Sequence, residues 1–289
     1  MPSTEAERFL GAKVHYIGEG STRLAYRKFG SGPPLLLLHG FPLHGFTYRK
    51  VAPYLQKWLS CYIVDLPGAG ESSWSDQTNF SSSGHAKNLQ RMVTELGLNH
   101  YAVLGHDTGG AVARHLALID KERLDKLVLI NTEIPRHRPP WIPLYQRLLA
   151  APGSHHLLRL LLRSDIYLRS NAGFGGCFSD RGLIEGEFKE HFVTPLVRSP
   201  RRAQGYRRYL QGFNWKELDV LSTRHSSIRP QALFIWGQDD PTFPEKLGRN
   251  MARQFPHCAG FKSIPQTKLL PHEEKPEEVC AHLLKFLLD

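Results

Sequence analysis

Six residues, Gly105-His106-Asp107-Thr108-Gly109-Gly110, stand between a continuous apolar run, Tyr101-Ala102-Val103-Leu104, and a segment with helical apolar spacing, Ala111 to Ile119. The run reads as a short buried strand, so strand and helix must join through a very sharp corner. Glycines at 105, 109 and 110 let the backbone turn tightly and the helix pack closely, leaving the Asp107 side chain exposed at the tip. Asp107 is therefore the first candidate for a reacting group.

Three further segments follow apolar runs in the same way. Pro34 to Leu38 leads into His39-Gly40-Phe41-Pro42. Ser60 to Val64 leads into Asp65-Leu66-Pro67-Gly68-Ala69-Gly70-Glu71-Ser72, and Ala232 to Ile235 into Trp236-Gly237-Gln238-Asp239-Asp240-Pro241. With these four motifs in order, the chain resembles the α/β-hydrolase superfamily across nearly its whole length. It is most similar to the aspartate-nucleophile branch of epoxide hydrolases and haloalkane dehalogenases.

The alternation of strands and helices predicts an α/β fold with a mostly parallel eight-stranded sheet covered on both faces by helices. Strands are expected near Lys13–Gly18, Thr22–Phe29, Pro34–Leu38, Ser60–Asp65, Tyr101–Leu104, Lys126–Asn131, Ala232–Ile235 and Gly260–Ile264. Helices are expected at Tyr48–Gln56, Ser82–Leu96, Gly110–Ile119, Lys246–Gln254 and Pro276–Leu288. The pattern breaks at the proline-rich Ile134 to Trp141, and helical spacing alone continues to about Arg229. The resemblance implies a hydrolase core from residues 1–134 and 230–289, with an inserted helical cap at 135–229.

A carboxylate attacking an ester or amide would give a high-energy anhydride, whereas at saturated carbon it gives an ordinary alkyl ester. An Asp107 nucleophile thus points to epoxides or halides, and the missing serine disfavours an esterase or lipase. Water must then attack the ester, with the developing oxyanion held by two backbone N–H groups; the resemblance places these at Phe41 and Thr108. No cofactor is needed.

The resemblance also implies a histidine base supported by a carboxylate. Asp240, before Pro241, matches the carboxylate position, with Asp239 beside it. Glu133 is a second candidate, although the position where some relatives place the acid aligns with Asn131. The family's Gly-His pair aligns with Lys268-Leu269, pinned by Glu273-Glu274-Lys275-Pro276-Glu277-Glu278-Val279 downstream. Leu269 cannot transfer a proton. His272 is the nearest substitute, and the cap histidines His137, His155 and His156 are others. His39 and His106 read as structural parts of their motifs.

Leu269 also keeps open a rival from another class, a repurposed member that binds a ligand or assists a biosynthesis without hydrolysis. Phe41 and Thr108 replace the halide-binding donors usual in dehalogenases. That puts epoxides slightly ahead, with cap tyrosines as donors to the epoxide oxygen: Tyr145, Tyr167, Tyr206 and, nearest the family position, Tyr209.

The formal net charge is +10, and most of the excess lies in the predicted cap, with sixteen Lys and Arg against seven Asp and Glu over 134–230. This reads as an arginine-rich solvated surface, with attraction of an anionic substrate, for instance at Arg136 and Arg138, as the sharper alternative. No nucleic-acid-binding motif accompanies it, so the expected partner is a small-molecule substrate. No run of eighteen apolar residues predicts a membrane span, and the start, Met1 to Arg8, lacks a leader's basic flank and apolar run. Four scattered cysteines (Cys61, Cys177, Cys258, Cys280) show no metal-ligand spacing and read as free thiols. Together these features predict a cytoplasmic enzyme without metal; they indicate no oligomeric state.

Overall fold

The computed structural model describes residues 4–18 and 20–289; Met1–Ser3, part of the stretch read for a leader, and Glu19 lie outside it. Eight strands form one sheet: β1 (Val14–Ile17), β2 (Leu24–Phe29), β3 (Pro34–Leu38), β4 (Ser60–Asp65), β5 (Tyr101–His106), β6 (Leu124–Ile130), β7 (Gln231–Gly237) and β8 (Cys258–Ile264). Their spatial order is β1-β2-β4-β3-β5-β6-β7-β8. β2 pairs antiparallel with β1 and β4, and every later pairing is parallel. The parallel centre explains the continuous apolar runs. Leu35–Leu38, Val103, Leu104 and Leu127–Ile130 are fully buried, as expected where helices cover both faces of a sheet.

The order places the carboxyl ends of β3, β5, β6 and β7 side by side, and there His39-Gly40-Phe41, Asp107, Asn131-Thr132-Glu133 and Asp240 meet. The crevice beyond such strand ends is where open α/β sheets bind ligands. All eight expected strands form, with small shifts at their ends. β5 runs on through Gly105-His106 because those residues still pair with Leu129 and Ile130 of β6. β6 ends at Ile130 because Asn131 takes a positive φ of 31°. The expected helix Tyr48–Gln56 is instead a 3₁₀ turn, Gly45–Tyr48, and a short helix, Ala52–Leu55. Two short helices lack a strong periodic signal, Glu5–Gly11, which carries a Thr4–Glu7 capping box, and Pro271–Glu274.

Between Ile130 and Gln231 the described residues contain helices and turns only, among them Trp141–Leu148, His155–Leu161, Pro200–Gly212 and Trp215–Ser222. Part of their basic excess faces the core. Arg202 pairs with Glu71 at 2.8 Å and donates to the Gly70 carbonyl, Arg208 pairs with Asp76, and Arg201 lies 4.6 Å from the centre of the Trp74 ring. Arg138 pairs with Asp219 and stacks on Trp215. These arginines fasten the insertion, each exposed pair contributing up to about 1 kcal/mol.

A buried cation links three segments behind the site. Arg49, 3% exposed, reaches Glu273 and Glu187 at 2.7 Å each, and Lys50 lies 3.3 Å from Glu273. Removing Arg49 strands the Glu273 carboxylate. Arg49→Met is therefore expected to lower the unfolding free energy by about 3–5 kcal/mol in a denaturant titration. A loss under about 1 kcal/mol would show that Lys50 and Thr47 suffice for Glu273.

Candidate active site

Asp107 occupies a strained corner. Its φ of 49° and ψ of −128° are a conformation costing a non-glycine residue roughly 1–3 kcal/mol, held by surrounding structure. The Asp107 N–H donates to the Ile130 and Asn131 carbonyls, its carbonyl accepts from Gly110 N–H, and Thr132 Oγ1 donates to the same carbonyl at 2.8 Å. The glycines make room for close backbone approach. A Cβ on Gly105 would lie 2.4 Å from the Gly109 carbonyl, and one on Gly109 2.3 Å from the Leu38 carbonyl.

The carboxylate faces two backbone donors. Phe41 N–H donates to Asp107 Oδ2 at 2.7 Å, and the Thr108 N–H lies close enough to the same carboxyl to favour its charged form. Gly40 permits this, since a Cβ there would sit 2.6 Å from Oδ2. Thr108 also opens the helix Thr108–Ile119, whose N-terminal dipole favours negative charge at this point. Burial and then the neighbouring Glu133 push the Asp107 carboxyl well above the usual carboxylate range, while the two N–H groups pull it back.

A cavity of about 120 Å³ adjoins Asp107. The core contributes Phe41, Pro42, Thr108, Glu133, Thr242 and Leu269; the helical insertion contributes Trp141, Ile142, Tyr145, Leu162, Tyr167, Phe174, Cys177, Tyr206, Tyr209, Leu210 and Phe213. Among the described residues no histidine lines it. Tyr167 donates to Tyr145 at 3.1 Å, and Tyr145 donates to the Ala172 carbonyl. Tyr209 is hydrogen-bonded through its hydroxyl to Thr108 Oγ1 at 2.9 Å. Tyr206 packs its ring 4.2 Å from that of Phe41, and its hydroxyl has no hydrogen-bond partner among the described residues.

The structure does not bring His272 to Asp240. His272 is fully buried, its Nε2–H donates to Thr47 Oγ1 at 2.9 Å, and its ring lies 4.6 Å from that of His106. The Thr47 hydroxyl itself donates to Glu273 Oε1 at 3.1 Å, so it accepts from His272 and fixes that tautomer. Burial, with Lys50 and Arg49 nearby, pulls this imidazole down to about 3, so it is neutral. The loop that would have to move is pinned: Lys268 N–H donates to Glu274, and His106 Nε2–H donates to the Leu269 carbonyl at 2.9 Å. His106 is thus a brace for the loop, and Leu269 forms part of the cavity wall. His39 accepts from Leu66 N–H and is likewise a buried brace.

The histidines of the insertion stay away as well. His137 donates to the Thr242 carbonyl at 2.8 Å, and the His155 and His156 rings lie tilted against each other with centroids 4.2 Å apart. Arg136 and Arg138 also stand outside the cavity lining.

Asp240 has other partners. It accepts from Asn131 Nδ2 and Thr242 N–H, both at 2.7 Å, while Asn131 Oδ1 accepts from Gly237 N–H. Burial raises its carboxyl to about 7. The Asn131–Asp240 pair therefore ties the ends of β6 and β7 together. Glu133, 2% exposed, lines the cavity with Asp107, and burial lifts it to about 7 against the pull of Arg114 and Thr132. The sequence alone points to Glu133 only as a support for a histidine. Its place on the cavity comes from the turn at Asn131, which no apolar pattern reveals.

A mostly parallel sheet that carries an acidic residue on a strained strand-to-helix corner, opposite two backbone donors, defines the class of nucleophile-elbow α/β proteins. The sequence model of the alpha/beta hydrolase fold matches residues 33–276, and the chain belongs to that family. It is 27% identical to a pimeloyl-[acyl-carrier protein] methyl ester esterase of Vibrio parahaemolyticus, covering 93% of this chain and 100% of that protein. It is 23% identical to haloalkane dehalogenase 2 of Mycobacterium tuberculosis, covering 94% and 91%. The solved structure of the epoxide hydrolase CorEH without ligand superposes with a TM-score of 0.79 at 21% identity, covering 96% and 98%. No helix among the described residues is long and apolar enough to cross a membrane, and no cluster of three or more His, Cys, Asp or Glu there could hold a metal ion.

His272→Gln keeps a donor toward Thr47 and is expected to leave turnover of small epoxides or haloalkanes unchanged. Loss of a general base would instead cost about 10²–10⁴-fold, which initial-rate measurements resolve.

Proposed function

We propose that the protein is a cofactor-independent hydrolase that attacks saturated carbon with Asp107 and passes through an alkyl ester. The observation that carries this reading is the Asp107 carboxylate, held by the N–H groups of Phe41 and Thr108 beside a small cavity. Attack leaves one carboxylate oxygen as the ester carbonyl. The same N–H groups then stabilise the oxyanion formed when water adds to that carbonyl, a contribution of about 2.7–4 kcal/mol for one donor in a comparable site.

The cavity favours epoxides. It is small, largely apolar and lined by three cap tyrosines besides Tyr209, and the Tyr206 hydroxyl is free to donate to the oxygen of an opening ring. Tyr209, the residue first expected in that role, is committed to Thr108 and serves better to hold the insertion against the elbow. The insertion then acts as a cap that excludes water from the alkylation step. Haloalkanes remain chemically competent, since their displacement needs no proton donor.

The repurposed, non-hydrolytic reading draws on Leu269 in the cavity wall. Against it stand the strained elbow and the donor pair, which have a cost and no evident use in passive binding.

Incubation with 1,2-epoxybutane and 1-bromobutane is expected to yield diol or bromide with the wild type and only background with Asp107→Asn. Equal product from the variant would contradict the nucleophile assignment.

A further inference from the structure

Resting on the Asp107 ester reading, we infer that Glu133 takes the place of the absent histidine and carries protons for both halves of the reaction. Glu133 is the one carboxyl group besides Asp107 that lines the cavity, among the described residues. One hydroxyl ties the Glu133 carboxyl to the elbow backbone: Thr132 Oγ1 lies 3.1 Å from Glu133 Oε2 and 2.8 Å from the Asp107 backbone carbonyl.

Glu133 is also held in place. Its carbonyl accepts from Arg114 Nη2 at 2.7 Å, and the fully buried Arg114 is bound in turn to Gly110 and Thr132 and approaches His225 at 3.3 Å. Arg114 makes no carboxylate ion pair among the described residues, so its charge acts on Glu133 through space. The titratable groups around Glu133 are thus Asp107 at the elbow, Arg114 on the following helix, His225 beyond it and Tyr209 from the insertion.

Electrostatics time the proton transfers. Two buried carboxyls in one cavity resist double ionisation, so near neutral pH they share one proton. Attack requires the form in which Asp107, facing the N–H donors, carries the charge and Glu133 holds the proton. When Asp107 attacks an epoxide carbon, the C–O bond of the ring breaks and the alkoxide takes the proton of Glu133. Asp107 is now a neutral ester, its repulsion is gone, and Glu133 is left ionised as a base. It removes a proton from water attacking the ester carbon. The tetrahedral oxyanion collapses with loss of the alkoxide, which takes that proton back and leaves as the diol. The Asp107 carboxylic acid then returns its own proton to Glu133, so epoxide and water have become diol. For an alkyl bromide, bromide departs with the bonding pair, Glu133 in its ionised form serves as base, and one proton is released to solvent. A single carboxyl alternating between acid and base follows the logic of retaining glycosidases.

The test follows the adduct on Asp107 by intact mass with 1-bromobutane and 1,2-epoxybutane in the wild type, Glu133→Gln, Glu133→Asp and Asp107→Asn, with thermal melts to establish folding. The expected result is an adduct that lasts at least about 10²-fold longer in Glu133→Gln than in the wild type. Wild-type adduct decay should speed up as pH rises through the range where Glu133 loses its proton, and this rise should vanish in Glu133→Gln. Glu133→Asp should retain the pH dependence at a lower rate, which preserves the test if the glutamine variant fails to fold. Equal adduct lifetimes, or a stable adduct in the wild type, would overturn the role of Glu133 and leave Asp107 in place. Product without any adduct on Asp107, or neither product nor adduct, would instead overturn the reading on which it rests.

Discussion

The contact between Phe41 N–H and Asp107 Oδ2 is the point on which the architecture converges. It needs β3 and β5 as neighbours, a bare Cα at residue 40, and an elbow that turns within one residue. Gly105, Gly109 and Gly110 answer the last demand by letting the helix sit against Leu38, Gly105 and Thr132 at distances no side chain permits. The left-handed φ of Asp107 is the local cost, offset by four backbone and hydroxyl hydrogen bonds around the corner. Sheet order, glycine placement and strain all serve to hold one carboxylate against two donors.

Around that carboxylate the usual division of labour has changed. The wall position that aligns with a base is Leu269, locked by His106 and Glu274, and His272 is a neutral buried hydrogen-bond donor behind it. Asp240, without an imidazole to orient, joins Asn131 in bracing β6 to β7. Buried Glu133 is left on the cavity beside Asp107 with a buried arginine near it, and under the proposed reading this pair of carboxyls supplies the proton transfers without histidine.

The fold was legible because the signals that define it are local. Leucine runs mark strands buried on both faces, and the glycine-bounded Asp107 marks the elbow whatever the surrounding sequence. The ends of β5 and β6 were less so, because Gly105, His106 and Asn131 are placed by pairing and a positive φ, not by apolar spacing. Phe41 and Thr108 were named from motif position, and in the structure the Phe41 N–H donates to Asp107 while Thr108 opens the helix beside it. His272, by contrast, lies only three residues from the aligned base position, yet one hydrogen bond to Thr47 turns it away. Nor does composition show that insertion arginines such as Arg202 and Arg208 engage acids of the core; that requires knowing that residues about 130 apart in sequence meet.

The central claim is that Asp107 itself bonds to carbon and that water attacks Asp107, not the substrate. A single turnover in H₂¹⁸O, with enzyme in excess over 1,2-epoxybutane, separates the two. The account predicts that the first diol formed is unlabelled and that the peptide containing Asp107 gains one ¹⁸O. Label appearing in the diol on that first turnover, with an unlabelled Asp107 peptide, would contradict it.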